Sequence, residues 1–179
     1  LKWRVIFNTV FKTVAKRTPL AGAAEFYQML HQGKSGDEAN PIFYVSHSPW
    51  NMYRYLELFL KQNSFPKGPI LLRSFPFFGR KRVEGEKPQK QKEILNILKT
   101  YPNLSFILIG DSGEHDADIY KEIAELYPDQ IAAIYLRSVS HKKKMERVRG
   151  LFEGYKTTPV LLVESSEQAI EHAKENNFI

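Results

Sequence analysis

The sequence predicts an α/β protein with a Rossmann-like parallel sheet and helices on both faces. Two observations carry that prediction. Short runs at 41–46, 69–73, 106–110, 130–137 and 160–163 are almost continuously apolar, as strands covered on both faces must be. Between them lie stretches with apolar residues at helical spacing, and strands that alternate with helices form parallel sheets.

Each element follows from its own residues. In 2–16, Trp3, Phe7, Val10 and Val14 fall on one stripe flanked by Lys2, Arg4, Lys12 and Lys16. This basic amphipathic helix packs on a domain or lies on an anionic membrane surface. After Thr18-Pro19, a second helix over 21–31 presents Ala24, Tyr27 and Leu30, with Phe26 and Met29 beside them, and 33–40 is a polar loop. The strand at 41–46 ends in Ser46. His47, Ser48 and Pro49 follow, and proline suits the first turn of a helix. That helix, over 50–62, turns Tyr53, Leu56, Phe59 and Leu60 inward. The hydroxyls and backbone N–H groups of Ser46, His47 and Ser48 make an anion cradle between strand and helix; Ser46 or Ser48 could equally cap the helix.

The strand at 69–73 leads into 74–92, where Phe75, Phe77 and Phe78 are interleaved with Arg80, Lys81, Arg82, Lys87, Lys90 and Lys92. Such a stretch could meet single-stranded nucleic acid or an anionic lipid surface, or be a solvated loop. Pro88 opens a helix with Ile94, Ile97 and Leu98 facing the core. Lys90 sits in its first turn, where a cation opposes the helix dipole and favours an anion nearby. The run at 106–110 stops at Gly110, and Asp111 and Asp116 follow at its C-terminal end. In open α/β sheets ligands bind at that edge. The two carboxylates can converge on a hard cation such as Mg²⁺, or Asp116 or Asp118 could cap the next helix. That helix, over 116–127, buries Ile119, Ile123 and Leu126. A strand at 130–137, a cationic cluster from His141 to Arg149, a strand at 160–163 and a helix over 166–176, capped by Ser165 or Ser166, complete the chain.

Composition narrows the function classes. At 179 residues the chain has the size of one domain with a real core. It contains no cysteine, which excludes disulfides and thiolate chemistry and suits a reducing, cytoplasmic compartment. No run is long and apolar enough to span a bilayer. The net charge of +6 points to anionic partners: phosphate esters, acidic headgroups or nucleic acid. Leu1 is not an initiator methionine, and the expectation is a piece of a longer chain. Ser46, an approaching lysine (Lys90 or Lys92), Asp111 and Asp116 all belong to one sheet edge. They supply a hydroxyl and backbone donor for a phosphoryl oxygen, a cation for developing charge and two metal ligands, as phosphoryl transfer needs. The set lacks a nucleophile.

Phe43-Tyr-Val-Ser-His-Ser-Pro-Trp-Asn51, Gly68-Pro-Ile-Leu-Leu-Arg73, Ile107-Leu-Ile-Gly-Asp-Ser-Gly-Glu-His-Asp-Ala-Asp-Ile-Tyr120 and Ala133-Ile-Tyr-Leu-Arg137 together resemble the haloacid-dehalogenase-like catalytic domain of the actin-patch phosphatidate phosphatase family. The resemblance implies an Mg²⁺-dependent phosphomonoesterase working through an aspartyl-phosphate, with phosphatidic acid at a membrane surface as substrate and diacylglycerol as product. It implies a cytoplasmic protein that associates peripherally with membranes and does not act on nucleic acid. Ser46 would then bind phosphate with the His47 backbone beside it, Lys90 would be the catalytic lysine with Lys92 as second choice, and Asp111 and Asp116 would hold Mg²⁺. Gln89 stands where the family usually has a histidine. The family's opening Asp-x-Asp-x-Thr strand is absent, so 1–179 is expected to be a single catalytic domain truncated before its first strand, and inactive as it stands. That strand should lie between those ending at Ser46 and Gly110. Two other readings remain: a phosphatase for a soluble phosphomonoester, and a non-catalytic module that binds anionic lipid or nucleic acid through 74–92 and 141–149.

Overall fold

The computed structural model describes residues 21–37, 39–73, 86–112, 115–138 and 141–179. The expected helix over 2–16 and most of the basic aromatic stretch at 74–92 lie outside them. The described elements alternate as predicted: α1 (Ala23–Gln32), β1 (Tyr44–Pro49), a 3₁₀ turn (Trp50–Met52), α2 (Tyr53–Gln62), β2 (Ile70–Arg73), α3 (Gln89–Thr100), β3 (Phe106–Asp111), α4 (Asp116–Leu126), β4 (Ile131–Arg137), α5 (Lys142–Leu151), β5 (Val160–Val163) and α6 (Ser166–Glu175). All strand pairs are parallel, and the fold is the Rossmann-like α/β arrangement that the apolar runs require.

Side-chain alternation along the central strand builds the two helical layers. Ile134 and Leu136 of β4 pack into a core with Ile94, Leu98, Ile119, Ile123 and Val148 of α3, α4 and α5. Ala133 and Tyr135 face the opposite way, against Phe26 and Leu30 of α1 and Ala169 and Ala173 of α6. Both faces of β4 are thus covered, which is why its sequence shows no polar alternation. The Tyr135 hydroxyl, facing α6, stays close to His172 Nδ1 at 2.8 Å.

Among the described residues the strands form two ladders, β1–β2 and β3–β4–β5. The helix α3 spans both, and the two ladders run the same way along it. Phe43, just before β1, meets Tyr101 at the end of α3 with ring centroids 5.9 Å apart. Gln130, just before β4, donates to Leu98 O and Tyr101 O at the same end. All strands therefore start at one edge of the molecule and finish at the other. Between β1 and β3 lies a cavity of about 660 Å³, lined by Val45, Leu56, Phe59, Leu98, Ile107 and Ile109 among others.

Several local expectations are corrected. β1 runs on to Pro49 instead of stopping at Ser46, so Pro49 precedes the 3₁₀ turn, and no serine side chain caps it. Tyr53 and Leu126 were expected inward, but both are exposed: each sits at a helix terminus, beyond the reach of the packing layer. His141–Arg149 is more than a cationic cluster. It forms α5, whose Met145 and Val148 are buried beneath the lysines. Asp116 and Asp118 occupy the first turn of α4 without capping it. Ser165 holds the N-cap position of α6 as expected, though its side chain makes no capping hydrogen bond, and Ser166 Oγ donates to Ala21 O at 2.7 Å, tying α6 to the start of α1.

Candidate active site

The finishing edge of the sheet gathers the chemistry. Gly110 and Asp111 end β3, and Asp116 opens α4 close behind them. Asp116 is buried, and its two carboxylate oxygens have separate partners. Lys90 Nζ donates to Oδ1 at 2.5 Å, and the Asp111 backbone N–H donates to Oδ2 at 3.1 Å. Both side chains of the Lys90–Asp116 pair are nearly inaccessible, at 9% and 5% exposure. The Lys90 ammonium also lies over the Tyr120 ring, 5.7 Å from its centroid. Charges this deep persist only when paired and hydrogen-bonded.

Gly110 makes this closeness possible. A Cβ there would lie 2.6 Å from Asp116 Oδ2 and 2.7 Å from Tyr120 Cε2. The Tyr120 hydroxyl donates to Ile109 O at 2.9 Å, fixing α4 against β3. Asp111 is more open. Its Oδ2 accepts from Arg137 Nη2 at 2.6 Å, a partner set opposite it by the β3–β4 register. Ser112 is fully buried, and its Oγ donates to Arg137 O at 2.6 Å and lies 3.2 Å from Met145 Sδ. Ser112, directly after β3, is thus tied to β4 and α5. Neither Arg137 nor Ser112 was foreseen; the paired strand ends were the available signal for Arg137, and nothing in the sequence marked Ser112.

The two candidate lysines separate clearly. Lys90 is turned into the site, whereas Lys92 pairs with Glu86 on the outside of the helix. Across the cavity, the ladder register breaks between Val45 and Pro49, which face Leu71 and Arg73. Ser46, His47 and Ser48 therefore sit on a bulge, a device that re-aims groups at functional edges. Ser46 Oγ accepts the Ser48 N–H at 3.1 Å and donates to Ser48 Oγ at 3.1 Å. Ser46 shares the cavity with Ile109 and Tyr120. Tyr27 lines it too, and burial, then the negative charge of Asp116, push its hydroxyl up to about 12.

The donor chemistry fits an Mg²⁺ ion of the open kind, held by one or two carboxylates and completed by waters and a phosphate oxygen. Asp111 and Asp116 are hard oxygen donors five residues apart, at the end of β3 and the start of α4. Among the described residues no group of three His, Cys, Asp or Glu forms a closed metal cage. No described helix is long and apolar enough to cross a membrane.

Comparison with known proteins shows the family of the chain. The family model for the catalytic domain of phosphatidate phosphatase APP1 matches residues 1–138. The chain is 37% identical over 140 residues to phosphatidate phosphatase APP1 of Saccharomyces cerevisiae, covering 77% of this chain and 23% of that protein. It is 30% identical over 125 residues to an uncharacterised protein of Schizosaccharomyces pombe, covering 66% of this chain and 21% of the relative. The chain thus spans less than a quarter of the length of either relative. No solved structure matches it. Ser46, Lys90, Asp111 and Asp116 all fall within the matched span, and the chain belongs to the family of the phosphatidate phosphatase APP1 catalytic domain.

Proposed function

We propose that the parent protein hydrolyses a lipid phosphate monoester, phosphatidate, to diacylglycerol and phosphate at the edge that carries Lys90, Asp111 and Asp116, with Ser46 across the cavity. The observation that carries this reading is the buried Lys90–Asp116 pair beside Asp111, in a chain of this family. Phosphoryl transfer depends on positioning and on charges fixed before the reaction begins. Lys90, held by Asp116 and Tyr120, presents a fixed cation to the phosphoryl oxygens as negative charge develops. Ser46 Oγ turns from Ser48 to donate to one of those oxygens, with the His47 backbone N–H beside it. Arg137 orients the Asp111 carboxylate. Asp111 and Asp116 would hold Mg²⁺, which supplies charge neutralisation on the phosphate when bound.

The nucleophile in this reading is an aspartate on a further strand lying between β1 and β3. The cavity there, and the separation of the two ladders on either side of it, support that place. Residues 1–20 contain neither Asp nor Glu, so they do not supply it. The substrate class is tested by phosphate release from phosphatidate in vesicles and from glucose 6-phosphate in solution, using the parent protein with Mg²⁺. The expected result is strong preference for the lipid; equal or greater release from the sugar phosphate would overturn the lipid assignment.

A further inference from the structure

The finishing edge of the sheet carries two surface features that the chemistry does not use. On the β1 side, Trp50 and Tyr53 follow directly after the strand end and stand 62% and 46% exposed. Each is a large aromatic with a polar tip, the type that settles at a membrane–water interface. Their exposure leaves apolar area in water that a headgroup layer would cover.

On the β4 side, α5 begins with three consecutive lysines, Lys142, Lys143 and Lys144, all exposed. Two contacts fix this turn beside the site. Met145 lies against Ser112, the residue after Asp111. Arg147 makes a two-pronged contact with Asp118 of α4, Nη1 to Oδ1 at 2.8 Å and Nη2 to Oδ2 at 3.0 Å. The lysines thus share the edge on which Asp111 stands, and Trp50 and Tyr53 share the edge on which Ser46 stands. Aromatic anchors on one flank and a basic cluster on the other complement one partner, a bilayer whose headgroups are anionic.

We propose that this edge docks on an anionic phospholipid bilayer, with Trp50 and Tyr53 at headgroup depth and Lys142–Lys144 against the lipid phosphates. Docked in this way, the site meets a phosphate ester in the plane of the membrane, without extracting it. The proposal rests on the lipid phosphatase reading for its purpose, although the docking itself requires no catalysis.

The test uses the parent protein and vesicles of phosphatidylcholine with phosphatidylserine, about four to one, an anionic lipid that offers no phosphate monoester. Partition is measured by sedimentation for the wild type, for Trp50→Ala/Tyr53→Ala and for Lys142→Gln/Lys143→Gln/Lys144→Gln. Each lysine near an anionic surface is worth about five-fold in partition, so the triple variant should bind about a hundred-fold more weakly. The aromatic variant should lose about ten-fold. Both should unfold at the wild-type urea midpoint and hydrolyse a soluble short-chain phosphatidate at the wild-type rate, because none of these residues belongs to the catalytic set. Wild-type partition that is absent, or that neither variant weakens, overturns the docking proposal. So does retention on a single-stranded oligonucleotide without vesicle binding. Vesicle binding as expected, with no hydrolysis of soluble phosphatidate, would leave the docking standing and defeat the phosphatase reading.

Discussion

Replacing Lys90 with methionine removes one charge of a buried pair and strands the other. In the folded protein Asp116 meets Lys90 Nζ at 2.5 Å, with both side chains at or below 9% exposure. Without Lys90, the carboxylate keeps, among the described residues, the Asp111 N–H at 3.1 Å. A buried ion costs several kcal/mol to desolvate, and breaking such a pair from one side costs about 3–5 kcal/mol. Against the 5–15 kcal/mol of stability typical of a domain, roughly, this brings Lys90→Met close to unfolding. Asp116→Asn should be costly for the converse reason. The double variant Lys90→Met/Asp116→Asn removes both charges while Asn still accepts the Asp111 N–H. It should be less destabilised than the sum of the single variants by about 2 kcal/mol or more. Urea unfolding midpoints at a common slope provide the measurement. If Lys90→Met costs under about 1 kcal/mol and the cycle closes additively, the pair behaves as a surface ion pair and the reasoning fails.

Other perturbations separate the remaining claims. Gly110→Ala places a Cβ 2.6 Å from Asp116 Oδ2, and urea unfolding should show a loss of about 1–3 kcal/mol, with activity falling as Asp116 is displaced. Gly68→Ala meets the Ile42 carbonyl at 1.9 Å, a backbone atom that cannot swing aside, so its cost should be no smaller, and it should weaken β1–β2 pairing. Lys92→Met should leave turnover within about two-fold of wild type, since Lys92 points to Glu86, whereas an unfolding-resistant background carrying Lys90→Met should lose about a hundred-fold. Arg147 bonds to Asp118 and holds its carboxyl below the ordinary value of 3.8. That contribution is present above the unfolded value and is lost as pH falls through the lower folded one. Because the pair is exposed, Asp118→Asn should cost no more than about 1 kcal/mol at pH 7, and urea midpoints of variant and wild type should converge as pH drops below the unfolded value.

The order of elements was legible because β4 and its neighbours are packed against a core on each face, so their sequences are continuously apolar. Val160–Val163 shows this most clearly, with observed and expected bounds coinciding. The helix α5 was not legible: Lys142, Lys143 and Lys144 mask a stripe that contains only Met145 and Val148 as buried residues. Tyr53 and Leu126 misled because helical periodicity assigns a face without saying where the neighbouring layer ends. At the site, the first-turn position and the family resemblance favour Lys90 over Lys92, and the structure separates them by partner, Asp116 for Lys90 and Glu86 for Lys92. The bulge at Ser46–Ser48 was hidden because register belongs to a strand pair and not to one strand. The same holds for Arg137 opposite Asp111.

The proposed function makes Ser46, Lys90, Asp111 and Asp116 the active-site residues of a phosphomonoesterase. The most direct measurement is phosphate release from phosphatidate by the parent protein with Mg²⁺, for the wild type and for Asp111→Asn. Asp111 is partly buried, with its side chain 28% exposed, and its replacement by the isosteric amide leaves the buried pair intact, so the variant should unfold at close to the wild-type urea midpoint. It should nevertheless lose at least about a hundred-fold in turnover. A folded Asp111→Asn protein that releases phosphate at the wild-type rate would contradict the claim and move the chemistry elsewhere.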